Sequence, residues 1–362
     1  MIPFPFKISA IFYKKIPLKI FLHSKNITLF KLKYFKIYHC IMNKKKIILL
    51  LLLFQMTLLF GQENYKLYYQ ATAKAFSFMA MKDYDNAIKT YEQAFKEFYP
   101  FPDDLKYLKD CFLAQKDTLS AYHTIRRMIA CGWQLEEKPP IIDEKNTIVN
   151  NIGLGNPILE QKIKEEYAQL RADYLKNINH NDNQYIENLI LGETFAQAMR
   201  SRIWQNSKQY SKRQMEMIID EGFRTNSLLL INTLNKKNFP RKDIAAWNGQ
   251  LIEITLIHAV QSTPKKDFNH IMSLLKKEVE KGNIHPIVYA TIYDACRCLN
   301  HKMKFSYYGQ YAEVFFSNKP QCVNVEDVEH VDERRAAIGL PPLWAWCDYY
   351  KIAYPKNYKP NK

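Results

Sequence analysis

The residues with chemistry to offer gather in the second half of the chain. Gln197 and Arg200 stand three positions apart, so on a helix they share one face and present an amide and a guanidinium together. His258 closes the most apolar helical stretch, Asp294 lies on a later helix, and Tyr308 sits in an aromatic turn. A histidine near a carboxylate serves as a general base and an arginine holds an anionic group. His258, Asp294 and Arg200 therefore form the candidate set for a hydrolase-like site. The other account is structural: Arg200, Asp294 and Tyr308 pair inside the protein and hold helices in register, as buried polar groups must. No nucleophile, metal-ligand set or glycine-rich loop accompanies them, and the structural account carries more weight. The pattern calls for no cofactor.

Apolar spacing of three and four residues supplies the elements that position these groups. Tyr65 to Met81 keeps Leu67, Tyr68, Ala71, Ala75, Phe78 and Met79 on one face, and Lys82-Asp83 makes a turn. A second helix runs over Tyr84 to Phe95 and ends before Pro100 and Pro102. The string DYDNAIKTYEQAFKEFYP resembles the second helix of a tetratricopeptide unit, with small Ala87 and Ala94 admitting a neighbour. Asp103–Gln115 and Thr118–Cys131 repeat the arrangement more weakly, with Ala121, Tyr122, Ile125 and Ile129 in matching roles. A plain helical hairpin packed on the next domain is the alternative. Two such units fall short of the three that repeats usually need, so they should lean on the C-terminal part of the chain.

Pro139, Pro140, Gly153, Gly155 and Pro157 mark residues 134–157 as a linker. Helices are expected over Ile158–Lys176 and Asn183–Asn206, and over Lys208–Asn235 as a pair broken near Gly222–Asn226. Ile244–Val260 is apolar nearly all round and reads as a central buried helix. Phe268–Glu280 and Pro286–Leu299 form a pair across Gly282-Asn283, with Pro286 at a helix start. Gln321–Val325 is the one short strand candidate. Asp332-Glu333-Arg334-Arg335 reads as the solvated face of a helix starting near Asp327, with one arginine reaching back to an acid. The fold class is all-α: tetratricopeptide-like helical hairpins over 62–133, then a helical C-terminal domain over 158–345 and a tail over 346–362.

That C-terminal domain resembles a bacterial domain of unknown function, the family numbered 6624. The matching pieces are Gln197-Ala198-Met199-Arg200, Asn226, Asn238-Phe239-Pro240, Ile257-His258-Ala259-Val260, Tyr289 with Tyr293-Asp294-Ala295, and Tyr308-Gly309-Gln310. The run from Val331 to Pro342, with Arg334-Arg335 and Gly339-Leu340, closes the pattern. The resemblance implies fold and architecture without a known reaction, and adds Asn226 and Gln310 to Gln197, Arg200, His258, Asp294 and Tyr308 as candidate binding residues. The chain departs from the family where Ile257 and Val260 flank the histidine and where Ala295 follows Asp294, so polar groups of a site are apolar here.

The compartment is read from Met42 to Gln62. Lys44, Lys45 and Lys46 precede an apolar run from Ile47 to Phe60, broken only by Gln55, Met56 and Thr57, and Gly61 stands at the exit. A basic start, a short greasy middle and a small residue at the end make a secretory signal peptide. A run of about fourteen residues falls below the roughly 20 that a membrane span requires. Cleavage is expected near Gly61–Gln62, a retained anchor being the alternative. Residues 1–41 then read as an over-extended gene model with translation starting at Met42, or as a long basic leader.

Removing the leader changes the charge argument. The net charge of the whole chain is +16, which invites a nucleic-acid partner. Residues 1–61 hold eleven lysines and no acid, leaving 41 bases against 36 acids and a net of about +5. Those charges are interspersed, whereas phosphate binding needs them clustered, so no nucleic-acid partner is expected. Of the six cysteines after the leader, Cys296 and Cys298 point about 200° apart on a helix and do not share a metal easily. Cys111, Cys131, Cys322 and Cys347 complete the six. Most are expected to be buried small hydrophobes, with a Cys322–Cys347 bridge as the minor option. The functional expectation is an exported, periplasmic or extracellular scaffold for a protein or peptide partner in the cell envelope, without a stable membrane span once the leader is cleaved. The alternative is the hydrolase-like site.

Overall fold

Apolar spacing becomes helix along most of the residues that the computed structural model describes, which are 65–137, 148–149, 152–176, 180–205, 211–236, 255–260, 262–263, 265–299, 305–310 and 324–362. All of these fall in one unit from Glu63 to Lys362. The expected leader, residues 244–254 of the expected central helix, Asn238-Phe239-Pro240, Cys322 and the side chain of Arg200 lie outside the described residues. Among the described residues no helix is long and apolar enough to cross a membrane.

The first four helices are α1 (Tyr65–Ala80), α2 (Tyr84–Glu97), α3 (Pro102–Ala114) and α4 (Thr118–Ala130). Each begins and ends within two residues of its expected bounds. The turns inside the two hairpins are built alike. Lys82 and Lys116 both take left-handed backbone, at φ 64° and 63°. Asp83 and Asp117 then cap the next helix, accepting from the backbone N–H of Asn86 and of Ser120. Asp83 N–H donates to the Phe78 carbonyl and Asp117 N–H to the Phe112 carbonyl, each at 2.9 Å. Every matching position is 34 residues from its counterpart. Ala75, Ala87, Ala94 and Ala121 are all buried, and their small size lets the helices approach.

The stretch expected as a linker carries a two-residue antiparallel ladder, β1 (Glu136–Glu137) with β2 (Ile148–Val149). Asn156 then caps α5 (Pro157–Leu175). Helix α6 (His180–Gln205, 26 residues) pairs with α7 (Lys212–Asn235, 24 residues). Helix α7 runs unbroken where a break was expected near Gly222–Asn226. The amide of Asn226 is buried and donates to the Leu189 carbonyl of α6, so it does not compete for its own backbone. Residues 255–260 are helical, with Leu256, Ala259 and Val260 buried.

Helices α8 (Phe268–Glu280) and α9 (Pro286–Leu299) have the expected bounds. Val325 forms a parallel bridge to Ser306, the part of the Gln321–Val325 strand candidate that is described. Helices α10 (Val331–Ala337) and α11 (Leu343–Tyr350) complete the order. The expectation of a solvated Asp332–Arg335 face is corrected by Arg335, whose side chain is fully buried. Arg334 does reach back, to Asp327 at 3.3 Å.

Residues 346–362, expected as a tail, include the last turns of a core helix. Leu343, Ala345 and Cys347 are fully buried, and α11 packs across α1 and α3. Trp346 stacks on Phe76 with ring centres 6.1 Å apart. Tyr349 donates to Asp110 at 2.7 Å and Tyr350 bonds Tyr107 at 3.0 Å. The hairpins do lean on the C-terminal part of the chain, through this helix and through the α8–α9 turn. Tyr69 donates to the Val279 carbonyl at 2.8 Å, and His285 stands 3.4 Å from Asp104, which accepts from Tyr68 at 2.6 Å.

Candidate functional site

The sequence-selected residues divide among separate polar contacts. The first joins α6 to residues 255–260. His258 Nδ1 lies 2.6 Å from Glu193 Oε1, and Gln197 Nε2 donates to the same oxygen at 2.9 Å. The imidazole leans on the Phe223 ring, 4.8 Å between centres. Glu193 is almost fully buried, and its Oε2 has no hydrogen-bond partner among the described residues. Glu193 escaped sequence reasoning because a lone glutamate on a charged helix resembles a solvated one. The available signal was its spacing, four residues before Gln197 and therefore on the same face.

The second contact is internal to the α6–α7 pair. A Cβ on Gly192 would stand 2.1 Å from the Asn226 Oδ1, so α7 approaches α6 at a point where only glycine fits. Asn226 Nδ2 donates to the Leu189 carbonyl at 3.0 Å. Asn226 thus ties two helices together.

The third surrounds Asp294. Its carboxylate is fully buried and accepts from the backbone N–H of Tyr307 at 2.7 Å, Tyr308 at 3.1 Å and Gln310 at 2.9 Å, and from the Ser306 hydroxyl. Four donors converge on the two oxygens of this one side chain. Arg335 backs the same loop, donating to the carbonyls of Tyr308 at 2.8 Å and Pro341 at 2.6 Å, with the Gln310 amide oxygen 3.3 Å away. Tyr308 and Tyr289 pack edge to face, and burial raises both hydroxyls, that of Tyr289 to about 12.

Gln197 and His258 meet, and so do Asp294, Tyr308 and Gln310. His258 and Asp294 do not: each is held by other partners, and Asp294 is sealed from solvent. Arg200 lies on α6. The described residues contain no group of three or more side chains able to hold a metal ion. The His258–Glu193 and Asn226–Leu189 contacts join neighbouring elements, and Asp294 holds the loop at 306–310.

An open surface lies over the α6–α7 contact, where Gly192 and Asn226 are part of its lining. Leu191, Phe195 and Met199 of α6 face Met217 and Leu229 of α7 across a groove of about 1060 Å³. Asn188, Glu221 and Thr225 line the same groove. Leu191, Phe195 and Met217 are 43 %, 56 % and 63 % exposed, an unusual cluster for a surface.

No family model, curated protein or solved structure matches the chain. The resemblance to domain family 6624 rests on the residues named for it alone.

Proposed function

We propose that the protein is an exported scaffold that binds a protein or peptide partner in the cell envelope, with tetratricopeptide-like hairpins supporting a helical C-terminal domain. The 34-residue recurrence of the Lys82-Asp83 and Lys116-Asp117 turns supports the hairpin assignment, since tetratricopeptide units recur at about that period. Arrays of this kind offer ligands an extended concave face. In this chain α11 already packs on the first helices of both hairpins, through Phe76, Tyr107 and Asp110. The partner surface is then the one left open. The observation that carries the proposal is the apolar α6–α7 groove, with Phe195 and Met217 more than half exposed.

The test is capture of envelope proteins by the purified chain, wild type against Phe195→Glu. Retention of the same specific partner by the wild type across repeated extracts is expected, as is its loss in the variant. Equal capture by both removes the groove from the account, and no capture by either removes the scaffold. Amino-terminal sequencing of the mature protein tests export separately: a start at or near Gln62 is expected, and an intact Met1 or Met42 in the cytosol sinks it.

A further inference from the structure

We infer that the α6–α7 groove accepts an amphipathic helix of about three turns from a partner protein, with an apolar stripe and an uncharged or basic flank. This rests on the scaffold proposal and names the partner's chemistry.

Length sets the first limit. On α6 the lining runs from Asn188 to Met199, eleven residue steps, or roughly 16 Å of helix axis. A guest helix of about three turns matches that distance. The walls are two long helices, and their side-chain ridges leave the kind of channel into which a third helix packs. Leu191 and Phe195 are one turn apart, so they meet apolar guest residues spaced by three and four. Met199 and Met217 are flexible enough to fit varied guests.

Charge sets the second limit. Among the described residues that line the groove Glu221 is the single charged one, and an acidic flank would meet it with like charge. Arg224, one turn on, lies 3.4 Å from Glu221 and is already directed at that carboxylate.

Two other occupants fit less well. A lasting dimer buries about 800 Å² on each partner. A strip roughly 16 Å long and about 10 Å wide, the diameter of a helix, offers a fraction of that. An acyl chain has nothing to give Asn188, Thr225 and Glu221, which share the lining with the apolar side chains.

The test uses the purified full chain and a fluorescein-labelled, alanine-based helix of about twelve residues. It carries leucines spaced by three and four on one face and lysines on the other. Two controls keep the composition, one with scrambled leucines and one with glutamates in place of the lysines. Anisotropy should show saturable binding of the first peptide, at least tenfold weaker binding of both controls, and at least tenfold loss with Phe195→Glu and Met217→Glu. Helical circular dichroism checks that the variants fold, and Leu191→Lys replaces either one that does not. Equal affinity for the scrambled peptide, or unchanged affinity in the variants, overturns the inference. So does a concentration-dependent dimer abolished by Phe195→Glu, which assigns the groove to a second copy. Uptake of cis-parinaric acid lost in the same variant assigns it to an acyl chain and overturns the inference as well. If wild type and Phe195→Glu capture the same envelope partner while the helix probe fails, this inference falls and the scaffold proposal stands.

Discussion

The amide oxygen of Asn226 occupies the place a Cβ on Gly192 would need, 2.1 Å away. The two residues set how closely α6 and α7, the longest helices among the described residues, approach, and both line the groove.

Gly192→Ala gains roughly 1 kcal/mol of helix preference. It also drives a methyl group into a buried, hydrogen-bonded amide, and overpacking of that kind costs about 1–3 kcal/mol. We expect a net loss of about 1 kcal/mol in urea unfolding. In an Asn226→Ala background the same change should become neutral or favourable, because the space is vacated. Strictly additive effects in the double-mutant cycle would mean that the two residues do not compete for one volume.

Asp294→Ala strands the buried N–H groups of Tyr308 and Gln310 and the half-buried one of Tyr307. Unmet buried donors cost about 1–3 kcal/mol each before relaxation. A loss of about 3 kcal/mol or more is expected, with Asp294→Asn intermediate and Ser306→Ala mildest. Wild-type stability for Asp294→Ala would show that the carboxylate does not organise the loop.

Lysine is strained at φ near +64°, a conformation that costs a residue with a Cβ about 1–2 kcal/mol. Lys82→Gly and Lys116→Gly should each stabilise by up to about 1 kcal/mol after the extra unfolded-state freedom of glycine is counted. Asp83→Ala and Asp117→Ala should each lose about 1 kcal/mol through the missing cap. Thermal melts of the four variants give the answer, and opposite signs at Lys82 and Lys116 would mean the turns are not equivalent.

Burial pushes the thiols of Cys111 and Cys296 from 9.0 up to about 12, the nearby Asp110 adding to the effect at Cys111. A folded-state pKa above the unfolded one means the folded protein holds its proton more tightly. That stability is whole below about pH 9 and is lost as pH rises toward 12, by about 1.4 kcal/mol per unit for each group. The melting temperature should fall between pH 9 and 11. Iodoacetamide mapped by mass spectrometry at pH 8 should label the half-buried Cys131 and Cys298 before Cys111 and Cys296. Early labelling of Cys111 would contradict its burial.

Trp346→Ala removes a large ring from its stack on Phe76 and its contact with Tyr350, 4.3 Å between centres. Large-to-small changes of this kind cost about 3–5 kcal/mol. Hydrogen exchange should quicken in α1 and α3 as well as in α11. Exchange confined to α11 would mean that the helix is an appendage.

Local signals in the sequence are legible where neighbours along the chain decide the structure. Asp83 and Asp117 cap helices, Pro286 starts one, and Gly282 ends another at φ 77°. The Lys-Asp pairs at 82–83 and 116–117 are visible too, and their interval carries more information than the composition of either helix. What the sequence conceals is distant partnership. Arg335 resembles a solvated arginine until Tyr308 and Pro341 are brought around it, and Glu193 resembles a surface acid until His258 arrives 65 positions later. The same holds for α7, whose Asn226 breaks helices unless another helix takes its amide. The groove is equally hidden, because Phe195 and Met217 keep the spacing of core residues.

Tyr107 and Tyr350 are joined across 243 positions. A polypeptide made from its amino end has both hairpins in hand long before their aromatic cover has been synthesised. Phe76 and Tyr107 must wait, wet and adhesive, until α11 has been made. Covering of the hairpins is consequently a long-range event, and the interval before α11 arrives is one in which a newborn chain exposes these rings to misassembly.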